Sequence, residues 1–415
     1  MRAASGSMPP SGSDGVGMSR DVWVTGCGLI STLGEGRAAH WKMLGDPAGW
    51  RARMDSQRLA PHTIHPMGPL DLDRFIPRKG DQRSMGPLMH YGCYAAGMAL
   101  AEAGIAGNEA LLGRTHMVVA APGGERDIAV DEQILAVRAE KSNTVGWLNE
   151  MMLTGLRPTL FLAQLPNLFA GNISIVHGVS GSSRTFMGEE SAGVDSVRIA
   201  WERITAGQGD LFLVGGAFNA DRPDVLLMFE PYGLLRETPV PDLWRRPAAG
   251  MTLGSVGAFL VLESRSHAEA RGARPLGRIA AVRASHSDRR PGSATAAARK
   301  QWQDIAPRLG GRTPAVLSGA SGAGTMTAEE REFLAQLPGA PTVRGTAAAL
   351  GHGMEASFLG NLGLAITCLE QDRLFPPLSE QEPIERRGGS NADSLLITSW
   401  GHYRGEGMAL IERVA

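Results

Sequence analysis

Six short apolar runs punctuated by glycine constrain this chain more than any other feature. "DVWVTGCGLIS" (21–31), "THMVVAAPGG" (115–124), "LFLVGGAF" (211–218), "GAFLVLES" (257–264), "TPAVLSGASGAG" (313–324) and "SLLITSW" (394–400) are too short for ordinary helices and apolar along nearly their whole length. Runs of this kind are strands buried on both faces. Stretches of helical composition lie between most of them, among them "GEGRAAHWKMLGD" (34–46) and "MHYGCYAAGMALAEAGI" (89–105). The rhythm is β-α-β, which predicts a layered α/β fold. A second cycle of strand, glycine turn and helix opens at "RPLGRIAAVRASHSD" (274–288), after the helical "SHAEARGA" (266–273). The chain therefore reads as pseudo-duplicated, with halves near 21–265 and 266–415. "SHSDRRPGSATAAARKQW" (285–302) is polar, carries Pro-Gly, and is expected to be a long surface loop.

Composition excludes several classes of function. A net charge of −1 over 415 residues, with no Lys/Arg run, gives no electrostatic footprint for nucleic acid or an anionic membrane. Cys27, Cys93 and Cys368 are scattered, so neither a disulfide framework nor a thiolate metal site is indicated, and a reducing cytoplasm fits. No metal and no cofactor is called for. Residues 1–20, rich in Gly, Ser and Pro, lack the apolar core of a signal peptide and are expected to be a disordered leader, with Met18 as an alternative start.

One stretch begins like a site and continues like a helix: "RTFMGEESAGVDSVRIAWERITAG" (184–207). From Ser191 onward, Val194, Val197, Trp201 and Ile204 recur at helical spacing and the pattern stops at Gly207, which puts Glu189 and Glu190 in the first turn. Anions are favoured there by about 0.3–1 kcal/mol. Taken alone, the pair could simply cap a surface helix.

Further stretches change the reading. "VTGCGLISTLG" (24–34), "LPNLFAGNISIVHGVSG" (165–181), "AGQGDLFLVGGA" (206–217), "AEARGARPLGRIAAV" (268–282), "GTAAALGHGMEASFLGNLGLAI" (345–366) and "LFPPLSEQEP" (374–383) occur in the order found in the β-ketoacyl-acyl-carrier-protein synthases. The chain resembles that family from Asp21 onward. The resemblance implies the thiolase-like fold, a pseudo-duplicated five-layer α-β-α-β-α sandwich. It also aligns Glu190, without a gap, with the nucleophilic cysteine, which in those enzymes sits at a helix N-terminus that favours thiolate. A carboxylate is a far weaker nucleophile, and its attack on a thioester would give a mixed anhydride, uphill and prone to hydrolysis.

Other family positions are altered too. The resemblance puts Ser321 at the first catalytic histidine and Ala347 at the lysine, while His352 in "LGHGMEAS" keeps the second histidine. Slippage by one residue in the Ser321 assignment changes nothing, because no histidine lies between His286 and His352 and no lysine follows Lys300. In "TSWGHYRGEG" (398–407), Trp400 and His402 replace the two phenylalanines of the family's gating loop. Gly254–Ser255–Val256 replaces a Gly-Glu-Gly.

The resemblance implies a catalytically silent member, closest in character to the chain length factors. These pair with a cysteine-bearing ketosynthase, work on chains tethered to an acyl carrier protein, and shape the tunnel of type II polyketide systems, reduced polyene-type systems among them. Glutamine is usual at the nucleophile position there, and Glu190 departs from it. A buried carboxylate needs a partner. Arg184 or an arginine of the partner subunit could serve. Glu125, Ile128 and Glu132, after the strand at 115–124, are expected near the partner's tunnel. Two enzymatic alternatives stand beside this: a malonyl-carrier decarboxylase, although such enzymes retain both histidines, and an atypical acyltransferase using Glu190 with His352 as an acid/base pair.

Overall fold

The computed structural model describes residues 20–140, 146–156, 164–236, 242–245, 250–379, 382–386 and 392–414; apart from Arg20, the predicted leader lies outside them. Ten strands form the backbone of the fold. They are β1 (Val22–Ser31), β2 (His116–Ala120), β3 (Ser183–Phe186), β4 (Leu211–Phe218) and β5 (Val256–Ser264), then β6 (Gly277–Ser285), β7 (Ala315–Ser318), β8 (Val343–Gly345), β9 (Ser394–Trp400) and β10 (Glu406–Glu412). Their spatial order is β8-β7-β9-β10-β6-β1-β5-β4-β2-β3, with the short strand Gly34–Glu35 beside β1. Every residue of β1, β4, β5, β9 and β10 is buried, as uninterrupted apolar runs require.

The duplication is explicit in the topology. The path β1-β5-β4-β2-β3 pairs antiparallel twice and then parallel twice, and β6-β10-β9-β7-β8 repeats the same sequence of pairings. Three antiparallel pairs, Val22 with Ile279, Trp23 with Arg278 and Val24 with Gly277, join the two blocks.

Helices complete five layers. In chain order these are α1 (Pro87–Glu102), α2 (Asn167–His177), α3 (Glu189–Thr205), α4 (Ser293–Ile305), α5 (Gly324–Ala335) and α6 (Ser357–Gln371). α1 and α2 cover the outer face of the first block, α4 and α5 that of the second, and α3 and α6 pack together between the two blocks. The middle position explains α6, which buries Phe358 through Leu369 on all sides. α3 turns Val194, Val197, Trp201 and Ile204 inward as their spacing predicted, and the Trp201 indole N–H donates to the Ile279 carbonyl at 2.9 Å, tying the middle layer to β6.

The expected surface loop at 285–302 is instead largely helical. α4 begins at Ser293 and buries Ala294, Ala298, Gln301 and Ile305, a helical stripe in which small alanines let it pack closely on β10. Pro291-Gly292 marks only the turn into it, with Gly292 at φ +81°. Among the described residues, no helix is long and apolar enough to cross a membrane.

Candidate functional site

The site is built around the first turn of α3. Gly188 has φ +125° and Glu189 φ +52°, a left-handed conformation that costs a residue with a side chain about 1–3 kcal/mol. Burial of Val194, Val197 and Ile204, worth about 1.5–3 kcal/mol each, holds the turn in place. The turn aims Glu190 into the interior, where its side chain is 2% exposed. At Gly193 a Cβ would lie 2.3 Å from the Glu355 carbonyl oxygen, so a glycine is needed for the segment Met354–Ala356 to pack directly on α3.

Two imidazoles converge on Glu190. His352 Nε2 donates to Glu190 Oε1 at 2.8 Å, and His402 Nε2 lies 3.4 Å from the same oxygen. Both rings are buried and meet edge to face, with centroids 5.4 Å apart. His352 is fixed through its backbone, its N–H donating to Thr252 at 2.7 Å and its carbonyl accepting from Gly254 at 2.9 Å. His402 sits in the turn between β9 and β10. Arg289 clamps that turn by donating to the carbonyls of Gly401 (2.9 Å) and Gly405 (3.0 Å) while pairing with the buried Glu406. Arg404, at 3.6 Å from Glu189, closes it from outside.

Burial works against the charge on Glu190, but His402, the His352 hydrogen bond and its own backbone N–H outweigh it, and the carboxyl is held at about 2. Burial also pulls His402 down to about 4, against the attraction of Glu190. His402 is therefore neutral at pH 7, and there the hydrogen bonds, rather than an imidazolium at His402, keep Glu190 ionised. Burial pushes Glu355 up to about 8, the charges of Glu190 and Glu189 adding to it. Of these two buried carboxyls only Glu190 is charged at neutral pH, a split set by environment. Burial likewise raises Glu330 to about 6, opposed by hydrogen bonds from Thr398 and Ser318.

The structure thus brings together Glu190, His352 and His402. Arg184, expected as a partner for Glu190, is exposed on the edge strand β3, too polar a position to serve an interior carboxylate, and the imidazoles take its place. Trp400 is buried but packs on Phe333 of α5, in the outer apolar cluster with Leu396 and Met408. Ala347 is buried at the start of the short helix Ala347–Leu350 and, with Gly319 and His352, lines a cavity of about 10 Å³, room for one water. Ser321 is buried, its hydroxyl accepting from the Ala323 N–H at 3.2 Å.

Glu125, Ile128 and Glu132, expected near the partner's tunnel, belong to the segment that follows β2. Glu125 caps the start of α1, accepting from the Leu88 N–H at 3.0 Å and from Asn219 at 3.2 Å. Ile128 is half-buried at the start of the helix Ile128–Glu140, and Glu132 is exposed on it. Sequence reasoning missed Glu355 and Arg289. Glu355 stood in the quoted "LGHGMEAS", three residues past His352; Arg289 stood inside the expected loop and carried no local signal.

A family model described as the β-ketoacyl synthase N-terminal domain matches residues 19–268. The chain is 26% identical over 266 residues to 3-oxoacyl-[acyl-carrier-protein] synthase 2 of Vibrio cholerae serotype O1, covering 61% of this chain and 60% of that relative. The match thus spans about 60% of the curated relative's length. The ishigamide ketosynthase/chain length factor structure superposes with a TM-score of 0.77 at 20% identity, covering 96% of this chain and 100% of that one. A type II polyketide acyl-carrier protein in complex with its ketosynthase bound to the hexaketide gives 0.74 at 17% identity, with 96% and 100% covered. At these identities the likeness is one of fold, the thiolase-like fold of ketosynthases.

Proposed function

Because this chain belongs to the β-ketoacyl synthase family, we propose that it is a catalytically silent chain length factor. In this reading it pairs with a cysteine-bearing ketosynthase and shapes the tunnel for a chain carried by an acyl carrier protein in type II polyketide assembly, reduced polyene-type systems included. The observation that carries the reading is Glu190: at the nucleophile position by resemblance, the chain has a buried carboxylate engaged by two histidines. No thiol offers a substitute. All three cysteines are buried, and burial pushes Cys27 and Cys368 up to about 12 and Cys93 higher still, the reverse of an activated nucleophile.

The surface supports a partner. The helices Ile128–Glu140 and Gly146–Gly155 leave Leu135 (61% exposed) and Leu153 (84% exposed) bare, and β3 is a sheet edge on the same block. An open edge and uncovered apolar side chains are what a subunit interface covers. Co-expression with a cysteine-bearing ketosynthase, followed by affinity capture and native mass, tests the reading. A one-to-one heterodimer is expected; a stable homodimer that ignores the ketosynthase refutes it. Within the complex, Ile128→Trp is expected to shorten the products, and an unchanged product spectrum removes Ile128 from the tunnel wall.

One observation favours an enzymatic alternative, a malonyl-carrier decarboxylase or an acyltransferase: the 2.8 Å hydrogen bond between Glu190 and His352, within acid/base reach. Carbon dioxide release from malonyl-carrier protein by this chain alone, lost in Glu190→Gln, would establish it over the silent subunit.

A further inference from the structure

Glu190, His352 and His402 each offer one ligand atom, and these atoms all lie within 4.8 Å of one another. We propose that these three residues form a binding site for a divalent first-row transition ion, Zn²⁺ in the cell, which latches the turn bearing His402 onto the first turn of α3. The inference goes beyond the chain length factor reading and does not depend on it.

The donor set fits. One carboxylate and two imidazoles are a protein ligand set that Zn²⁺ uses when its fourth position is left to water. Bond lengths of about 2.0–2.2 Å place tetrahedral ligand atoms roughly 3.3 Å apart. The carboxylate oxygen stands 2.8 Å from one imidazole nitrogen and 3.4 Å from the other. All three side chains are at most 3% exposed, so no bulk water competes strongly for them.

A second observation points to a ligand. Glu190 Oε2 and His402 Nε2 are buried without a hydrogen-bond partner. Such atoms are destabilising unless something satisfies them, and a cation bound to Glu190 Oε1 takes up the lone pair of His402 Nε2. His352 can take part without net loss of a proton: its Nε2 proton, now donated to Glu190, moves to Nδ1, which is itself buried and unpartnered. Nε2 then presents its lone pair.

The three ligands come from three separately anchored pieces, namely the helix start, the backbone-paired His352 and the turn clamped by Arg289. An ion bound by all three would cross-link them. Because His402 belongs to the segment that replaces the family's gate, the ion would hold that gate shut.

The test uses the full-length chain, alone or in its complex, stripped with chelator and titrated with Co²⁺ as a spectroscopic probe, then with Zn²⁺ in competition. The expected result is one equivalent of Co²⁺ with the strong visible bands of a four-coordinate ion, displaced by Zn²⁺, and an affinity more than about a hundredfold weaker in His402→Phe and in Glu190→Gln. Circular dichroism confirms that each variant is folded; should His402→Phe not fold, His402→Gln replaces it. Trypsin cleavage after the exposed Arg404 reports the latch. Zn²⁺ is expected to slow it in the wild type and not in the His402 variant. Absence of the Co²⁺ bands, or unchanged affinity in both variants, overturns the site; binding without protection at Arg404 overturns the latch.

Discussion

Replacing Glu190 by glutamine keeps the shape of the side chain and removes its charge, so it isolates what the buried carboxylate does for the fold. Glu190 is held at about 2 against an ordinary 4.5. At about 1.36 kcal/mol per pH unit, a depression of that size is worth at most about 3–4 kcal/mol at pH 7. Part of it comes from the charge on His402, which is absent at pH 7 because His402 is itself held near 4. What remains is chiefly the His352 hydrogen bond and the N–H groups at the start of α3, and charge-assisted bonds of this kind contribute about 1.5–3 kcal/mol. Glu190→Gln is therefore expected to lose about 1–3 kcal/mol at pH 7. The dependence on pH gives a sharper check. A depressed carboxyl contributes its stability in full above the unfolded value of 4.5 and loses it as pH falls from there towards 2, so the gap between wild type and variant should be constant from pH 7 to 5 and narrow below 4.5. Guanidinium unfolding of both proteins in chelator, followed by tryptophan fluorescence at several pH values, measures it. A variant as stable as the wild type at pH 7, or a gap that widens on acidification, would refute the argument that the histidines and helix start favour the carboxylate.

Three further outcomes are expected. Glu190→Cys should not gain condensing activity, because a histidine and a lysine expected by resemblance are replaced as well; a new carbon–carbon bond in a mass-spectrometric assay with acyl- and malonyl-carrier protein would undo the silent-site reading. Arg289→Ala removes the partner of the fully buried Glu406 and two donors to the turn carbonyls, and should cost about 3–5 kcal/mol in guanidinium unfolding; a loss below 1 kcal/mol would show that Ser285 and Ser287 satisfy Glu406 unaided. His40, buried and bonded to Ser31 and the Gly36 carbonyl, is pulled from 6.5 to about 4 by burial, with the Gly36 bond opposing. Between those values the unfolded chain binds a proton that the folded chain refuses, so stability should fall as pH drops from 6.5 to 4, by up to about 3 kcal/mol from this residue, and His40→Gln should flatten that part of the profile.

Legibility followed the range over which each signal acts. The strands were readable because burial on both faces leaves an apolar run that needs no knowledge of its neighbours, and α3 was readable because its stripe at Val194, Val197, Trp201 and Ile204 is local. α4 was not, since Pro291-Gly292 and a polar composition hid a stripe made mostly of alanines, whose burial depends on how closely β10 approaches. The site was half legible. Glu190 and His352 are paired by the sequence only in the acyltransferase alternative; they are 162 residues apart, and neither segment by itself fixes the hydrogen bond between them. His402, in the segment expected to form a gate, is also a third member of the buried group, while Arg184, near in sequence, faces solvent. Proximity along the chain was the wrong guide to a partner for a carboxylate that the fold carries inward.

The start of α3 connects these side chains. The first turn of α3 directs unpaired N–H groups at whatever occupies position 190, and in a buried setting that favours an anion whether it is a thiolate or a carboxylate. A chain that has no use for a nucleophile there can still hold a negative charge, and once the charge is permanent it constrains its surroundings. Loss of His352 would leave a buried carboxylate without its 2.8 Å hydrogen bond, and loss of His402 would remove the second imidazole beside it, at 3.4 Å. The three side chains therefore depend on one another, whatever chemistry the chain performs. Because His402 belongs to the turn that Arg289 clamps, the same dependence reaches from the helix start to the turn between β9 and β10, so the residue at position 190 bears on how that turn is held.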